Sequence, residues 1–186
     1  LPTRIGTMRF LKRELCQGMI PLADWDVAPW PPFGQNTMIV IYDQPLGGRV
    51  ETRLARKETR ITEYDVPRRL VEPLLTPLQN LEQDDAAHRA IRADNLFFMD
   101  ADMTEIVLGE HVTSPPGYDQ PIMYEPIERA MASVEGRGSG NSVDDIFALG
   151  VTIGLLVLGH NPLAKMNDED QIKRRLEQGS YAAIFG

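Results

Sequence analysis

The side chains best suited to chemistry lie between residues 88 and 110. The segment His88-Arg89-Ala90-Ile91-Arg92-Ala93-Asp94-Asn95 brings together an imidazole, two guanidinium groups, a carboxylate and a carboxamide, and Asp100, Asp102 and Glu110 follow. Carboxylates at such a site act as general bases or hold a divalent cation through oxygen, and a carboxamide supplies one further oxygen. Asp94 stands beside Asn95, but an offset of one residue turns it away. Asp100 and Asp102 fall between two apolar runs, where Asp is favoured for turn chemistry. Glu110, directly after Gly109, is the acid best placed to approach a substrate. His88, His111 and His160 are scattered without metal-ligand spacing, so no metal site is expected. Cys16 is the only cysteine, which excludes an internal disulfide and a cysteine-rich zinc site. Glu135-Gly136-Arg137-Gly138-Ser139-Gly140-Asn141 is glycine-rich like a phosphate cradle. It neither follows a strand nor continues into Gly-Lys-Ser/Thr, so it reads as a flexible connector.

The 186 residues are 42% hydrophobic and 25% charged, which fits one compact domain or most of one. A net charge of −8 and a pI near 4.9 oppose a phosphate backbone, so nucleic acid is not an expected partner. A lone thiol and the absence of a cationic segment leading into an apolar one make the cytoplasm the expected compartment.

These side chains must be positioned by elements that the pattern of apolar residues locates. Ser142 to Pro162 is the dominant one. From Ile146 to Leu158 only Thr152 is polar, which predicts a helix enclosed on every side, capped by Ser142 with Asp145 reaching back and ended at Gly159. It is too short to span a bilayer, so membrane insertion is not expected, and the Gly150-to-Gly154 spacing reads as close backbone approach inside a domain. An amphipathic helix is predicted from Arg4 to Gln17. Strands are predicted at Ile20 to Val27 and Thr37 to Tyr42, with a Pro-rich turn between them. Residues from about Arg60 to Asp85 carry a helical pattern, but Pro67, Pro73 and Pro77 favour two shorter helices. Leu96 to Leu108 reads as a hairpin with an acidic turn, 109–124 as a loop, Ile127 to Met131 as a short helix, and Asp168 to Gln178 as a charged amphipathic one.

In this order the elements resemble the protein kinase fold over nearly the whole chain. His88-Arg89-Ala90-Ile91-Arg92-Ala93-Asp94-Asn95-Leu96-Phe97-Phe98 looks like the catalytic loop, and Asp145-Ile146-Phe147-Ala148-Leu149-Gly150 like the start of the helix that organises the large lobe. Gly109 and Pro126-Ile127-Glu128 lie between them. The resemblance implies an α+β architecture in which residues 1–46 are a reduced small lobe and hinge. Residues 47–186 would then be a mainly helical large lobe, incomplete at its C-terminal end. It further implies that His88 and Arg89 support the loop and that Asp145 accepts from its backbone. Glu128 would pair with an arginine in a region expected to be absent. Asp43, Gln44 and Pro45 would form a vestigial adenine-facing hinge. Residues 110–121 would match the activation loop, expected to be static for want of an arginine cluster, and Glu14 would match a glutamate whose lysine partner is missing.

The departures decide the expected activity. The family's proton-accepting aspartate falls on Ala90, and its metal-binding Asp-Phe-Gly falls on Val107-Leu108-Gly109. Asn95, matching the second metal ligand, is retained. General-base assistance is worth ~10² to 10⁴ in rate, or roughly 3 to 5 kcal/mol of barrier, and a metal ligand is lost with it. The expectation is a pseudokinase, a regulatory or signalling scaffold that binds a protein partner, with no ATP bound as cofactor. The alternatives are a divergent nucleotide-dependent transferase using relocated acids such as Glu110, and an unrelated helical adaptor.

Overall fold

The computed structural model describes residues 17–186, so the helix expected from Arg4, apart from its last residue, lies outside the described residues, as do Glu14 and Cys16. The described residues are α+β, 46% of them helical, with small antiparallel sheets. β1 (Leu22–Trp30) and β2 (Gln35–Tyr42) form one hairpin. β3 (Gly48–Arg49), β4 (Leu96–Phe98) and β5 (Ile106–Leu108) form a second antiparallel sheet in that order. Met19 fastens the start of the described chain to β5, with Ile20 N donating to Leu108 O at 2.9 Å and Leu108 N to Gly18 O at 2.8 Å.

The acidic turn between β4 and β5 forms as its composition predicts. Asp100 accepts from Thr104 N at 3.0 Å, Thr104 Oγ1 at 2.7 Å and Glu105 N at 2.8 Å. These bonds hold its carboxyl below the ordinary 3.8, the Thr104 backbone bond contributing most. The bonds Asp65 receives from Thr62 do the same to it. Both groups are lower in the folded than in the unfolded chain, so they stabilise above about pH 4, and that contribution is lost as pH falls through their folded values. Replacing Asp100 with Asn is expected to cost about 1 kcal/mol at neutral pH. It should also flatten the acid limb of a urea-midpoint against pH profile; an unchanged limb would remove Asp100 from this role.

Two helices not expected from the sequence are present, α1 (Val50–Ala55) and a last one described below. The stretch from Glu63 to Gln83 is one continuous helical run rather than two separated helices. It opens as a 3-10 turn over Glu63–Asp65, widens into a π-helix over Val66–Val71, in which Glu72 N donates to Pro67 O, and passes directly into α2 (Glu72–Gln83). The wide turn is what accommodates the prolines. Pro67 stands at the start of the π-helix and Pro73 at the junction where the π-helix passes into α2. Pro77 lies inside α2 and leaves the Pro73 carbonyl without its usual donor. Gly18 packs there so closely that a Cβ on it would stand 2.5 Å from Pro73 O.

α3 (Ile127–Ala130) precedes the long helix α4 (Ser142–Leu158), followed by α5 (Asp168–Gln178) and α6 (Ser180–Phe185), the second unexpected helix. α4 carries Ala148, Leu149, Val151, Thr152, Leu155 and Leu156 into the core against Leu74, Leu78, Ile91 and Leu96. Each buried leucine there is worth roughly 1.5–3 kcal/mol. The cap lies one residue earlier than the sequence suggests. Asn141 accepts from Val143 N and Asp144 N, while Asp144 reaches back to Asn141 N at 2.8 Å. Asp145 is thereby released for a distant role. Gly159 closes the helix at φ 73° as expected. The helix is not enclosed on every side, however. Val143, Ile146, Gly150, Val157 and Leu158 form an exposed stripe. Only part of its open side is covered, where Gly154 lets the Phe185 ring lie against the helix backbone; a Cβ on Gly154 would meet that ring at 2.4 Å. Among the described residues no helix is long and apolar enough to cross a membrane.

Candidate functional site

The segment 88–95 is shaped from the far side of the core. Asp145, in the first turn of α4 and 2% exposed, accepts from His88 N at 2.6 Å and Arg89 N at 2.8 Å. Those two bonds hold Arg89 at φ 61°, a left-handed conformation that a non-glycine residue adopts only under such restraint. The His88 ring accepts from Ala90 N through Nδ1 at 3.2 Å, which leaves Nε2 as the donor to Gly109 O at 3.2 Å. His88 also stacks on His111, with ring centroids 4.4 Å apart. Both imidazoles are buried, and the pair joins segment 88–95 to the chain that follows β5.

Asn95 makes the second join. Its side-chain amide donates to Ala90 O at 2.9 Å and Glu110 O at 2.8 Å, and Gly109 N donates to Asn95 O at 2.7 Å. The contact is so close that a Cβ on Gly109 would stand 2.0 Å from Asn95 Oδ1 and 2.7 Å from its backbone oxygen. Gly109→Ala is therefore expected to cost ~2–4 kcal/mol by forcing the two segments apart; a urea midpoint equal to wild type would contradict this packing.

Beneath the loop lies a cluster of buried ions whose members are far apart in sequence. The terminal nitrogens of Arg89 each stand 2.9 Å from an oxygen of Glu125, which is fully buried, and Asp144 lies 3.6 Å from Arg89. Burial pushes the Glu125 carboxyl above its usual range, against the pull of Arg89. Arg129 donates to Asp144 at 2.6 Å and to Arg137 O at 2.6 Å. Arg137 in turn holds Gln120 O at 2.7 Å and Gly117 O at 3.3 Å. Arg175 on α5 donates to Ile122 O at 2.7 Å and Glu125 O at 2.6 Å, and burial lowers its pKa against the opposing influence of Glu128. The glycine-rich segment 135–141 is no plain connector: Arg137 is 5% exposed, and a Cβ on Gly140 would strike the Arg89 side chain at 2.4 Å.

The positions that chemistry would need are occupied by hydrocarbon or by groups already bonded. Ala90 is a methyl group, and Val107 and Leu108 are buried in β5 at 2% and 0% exposure. Both Asn95 amide protons bond backbone carbonyls as described. Glu110 does not reach toward a substrate, because its oxygens accept from Val112 N at 3.1 Å, Thr113 N at 3.1 Å and Thr113 Oγ1 at 2.6 Å. Asp94 pairs with Arg92 at 2.8 Å, and Asp119 accepts from Ser114 Oγ. The cavity among His88, Ala90, Arg92, Glu110 and Asp119 measures about 20 Å³, room for one water at most. At the expected hinge, Asp43 N donates to Pro21 O, Pro45 O accepts from Gly48 N, and Leu46 N and Gly47 N pair with Met99 O and Phe98 O. Those groups are bonded within a turn and at the ends of the two sheets. Among the described residues no three His, Cys, Asp or Glu side chains are grouped to hold a metal ion.

Sequence reasoning missed Glu125, Arg129, Arg137, Arg175 and the His88–His111 stack. Open space lies elsewhere. An apolar groove of about 620 Å³ runs between α4 and α6 past Ile146, Gly150, Val157, Tyr181 and Phe185, and Tyr181 is 81% exposed. A more polar cleft of about 1240 Å³ lies between α1 and the C-terminal end of α4, over Leu155 and Tyr124. No protein-family model matches the sequence, and no curated protein matches it.

Proposed function

We propose that this chain is a protein kinase-like domain without phosphotransferase activity, and that it serves as a regulatory scaffold by binding another protein. The observation that carries the reading is the closed junction between segment 88–95 and the chain after β5. Hydrocarbon stands at Ala90, Val107 and Leu108, the Asn95 amide is committed to Ala90 O and Glu110 O, and the cavity beside Ala90 and Glu110 measures only about 20 Å³. No described carboxylate beside this junction is free for a cation: Glu110 accepts from Val112 N and from Thr113, Asp94 pairs with Arg92, and Asp119 accepts from Ser114 Oγ. The scaffold half rests on the apolar groove between α4 and α6, since exposed apolar surface of this kind marks interaction sites.

The test is direct. The purified protein, incubated with labelled ATP, magnesium or manganese and generic protein substrates, is expected to transfer no phosphate above a heat-denatured control. Transfer that disappears in an Asn95→Ala variant would overturn the reading.

A further inference from the structure

We propose that the free edge of β2 pairs with the same edge of a second copy of this chain, closing a four-stranded antiparallel sheet about a two-fold axis. The inference is independent of the functional reading above. Its starting point is that the two edges of the β1–β2 hairpin are chemically unlike. Successive amides of a strand point to opposite edges. On β1 the outward amides are already dealt with: Trp25 N donates to Asp24 Oδ1 at 2.9 Å, Val27 N to Asp26 Oδ1 at 2.7 Å, and Pro29 has no N–H. Aspartates and a proline are ways of blunting an edge. The register that pairs Asp24 with Ile41, Asp26 with Ile39 and Ala28 with Thr37 sends the amides of Asn36, Met38, Val40 and Tyr42 away from β1. No described segment pairs with them.

The β2 edge suits its own copy. Gln-Asn-Thr-Met-Ile-Val-Ile-Tyr carries no charge, so placing it against itself brings no like charges together, whereas two β1 edges would oppose Asp24 and Asp26. Ile41, 52% exposed, and Ile39 lie on the face turned away from the core residues Trp25, Met38 and Val40. Pairing would lay these isoleucines of both copies side by side. A molecule with one open and one blocked edge can add only once, so the assembly closes at two copies and does not grow into a fibre. An eight-residue strand buries little surface, and the chain carries −8, so association is weak at low salt.

Sedimentation velocity from ~5 to ~500 µM tests this, alongside hydrogen exchange at the two ends of that range. The expected result is a monomer-to-dimer shift that strengthens several-fold with added salt and slows exchange at Met38, Val40 and Tyr42. Ile41→Lys, an exposed change that sets an ammonium group of each copy on the apolar strip the pairing would cover, should weaken the dimer ~10-fold or more, while Leu176→Lys on α5 leaves it unchanged. A monomer at every concentration, as when β2 serves a strand of a different protein, overturns the proposal. So does a dimer in which exchange along β2 is unaltered or in which Leu176→Lys is the disruptive change.

Discussion

Replacing Arg89 with Leu is expected to destabilise the fold by roughly 3–5 kcal/mol, the cost of breaking a buried ion pair from one side. Arg89 is 4% exposed and Glu125 fully buried, so the carboxylate left behind can neither reach water nor find an equal partner. Arg137 and Arg175, the other cations near it, already hold the backbone of Gly117, Gln120, Ile122 and Glu125. The penalty should depend on pH in a defined direction. Burial alone raises Glu125, and without Arg89 its folded value rises further above the unfolded one. A raised carboxyl contributes stability below the unfolded value and loses it as pH rises, so the gap between variant and wild type should be widest near neutrality and shrink toward pH 4. Removing both partners, as in Arg89→Leu with Glu125→Leu, should recover much of the loss. Urea unfolding of the two single variants and the double variant at pH 7 and pH 4.5 checks this; a pH-independent penalty would mean that Glu125 is not the group left stranded.

Asp145→Ala is the second large effect. It removes the acceptor of His88 N and Arg89 N together, leaving two buried amides unsatisfied at about 1–3 kcal/mol each. Without those bonds nothing holds Arg89 at φ 61°, so the loop around Ala90 should relax. The expected outcome is a loss of ~3 kcal/mol or more and fast exchange at the amides of residues 88–90, with α4 still helical by circular dichroism. Asp145→Asn, which retains one oxygen acceptor, should fall between. If exchange at residues 88–90 matches wild type in Asp145→Ala, the restraint comes from elsewhere.

The sequence makes local features legible and hides those that depend on distant partners. The β4–β5 hairpin is readable because Asp100 and its short apolar flanks settle the matter within a dozen residues. The end of α4 is readable at Gly159 for the same reason. Its beginning is not: Asn141 and Ser142 are both good caps, and what selects Asn141 is the use of Asp145 by His88 and Arg89, more than fifty residues away. The helical run through Pro67, Pro73 and Pro77 defeats local reasoning because a π-helix is inserted within it, which no periodicity in the sequence announces. The stripe Val143, Ile146, Gly150 and Val157 is as apolar in sequence as the buried face, so only the fold distinguishes the two.

At the candidate site, Ala90, Asn95, Val107 and Gly109 are legible by position, and the structure brings the segments that carry them together. The supporting cluster is not legible in that way. Glu125, Arg129, Arg137 and Arg175 are ordinary surface residue types, and nothing in their spacing announces that Arg137 and Arg175 are drawn inward to carbonyls of 117–125, Glu125 to Arg89 and Arg129 to Asp144. The one available hint is glycine: Gly117 and Gly140 both lie against the Arg89 side chain, where any Cβ would collide.

The most direct test of the account is paramagnetic NMR with manganese and ATP on the isotopically labelled protein. The space of about 20 Å³ beside His88, Ala90 and Glu110 is too small for a metal–nucleotide complex, and Val107 and Leu108, buried in β5, offer no oxygen to a cation. Amide signals of 88–95 and 106–110 should therefore keep their linewidths as MnATP is added. Broadening centred on Asn95 and Val107, reversed by excess MgATP, would contradict it.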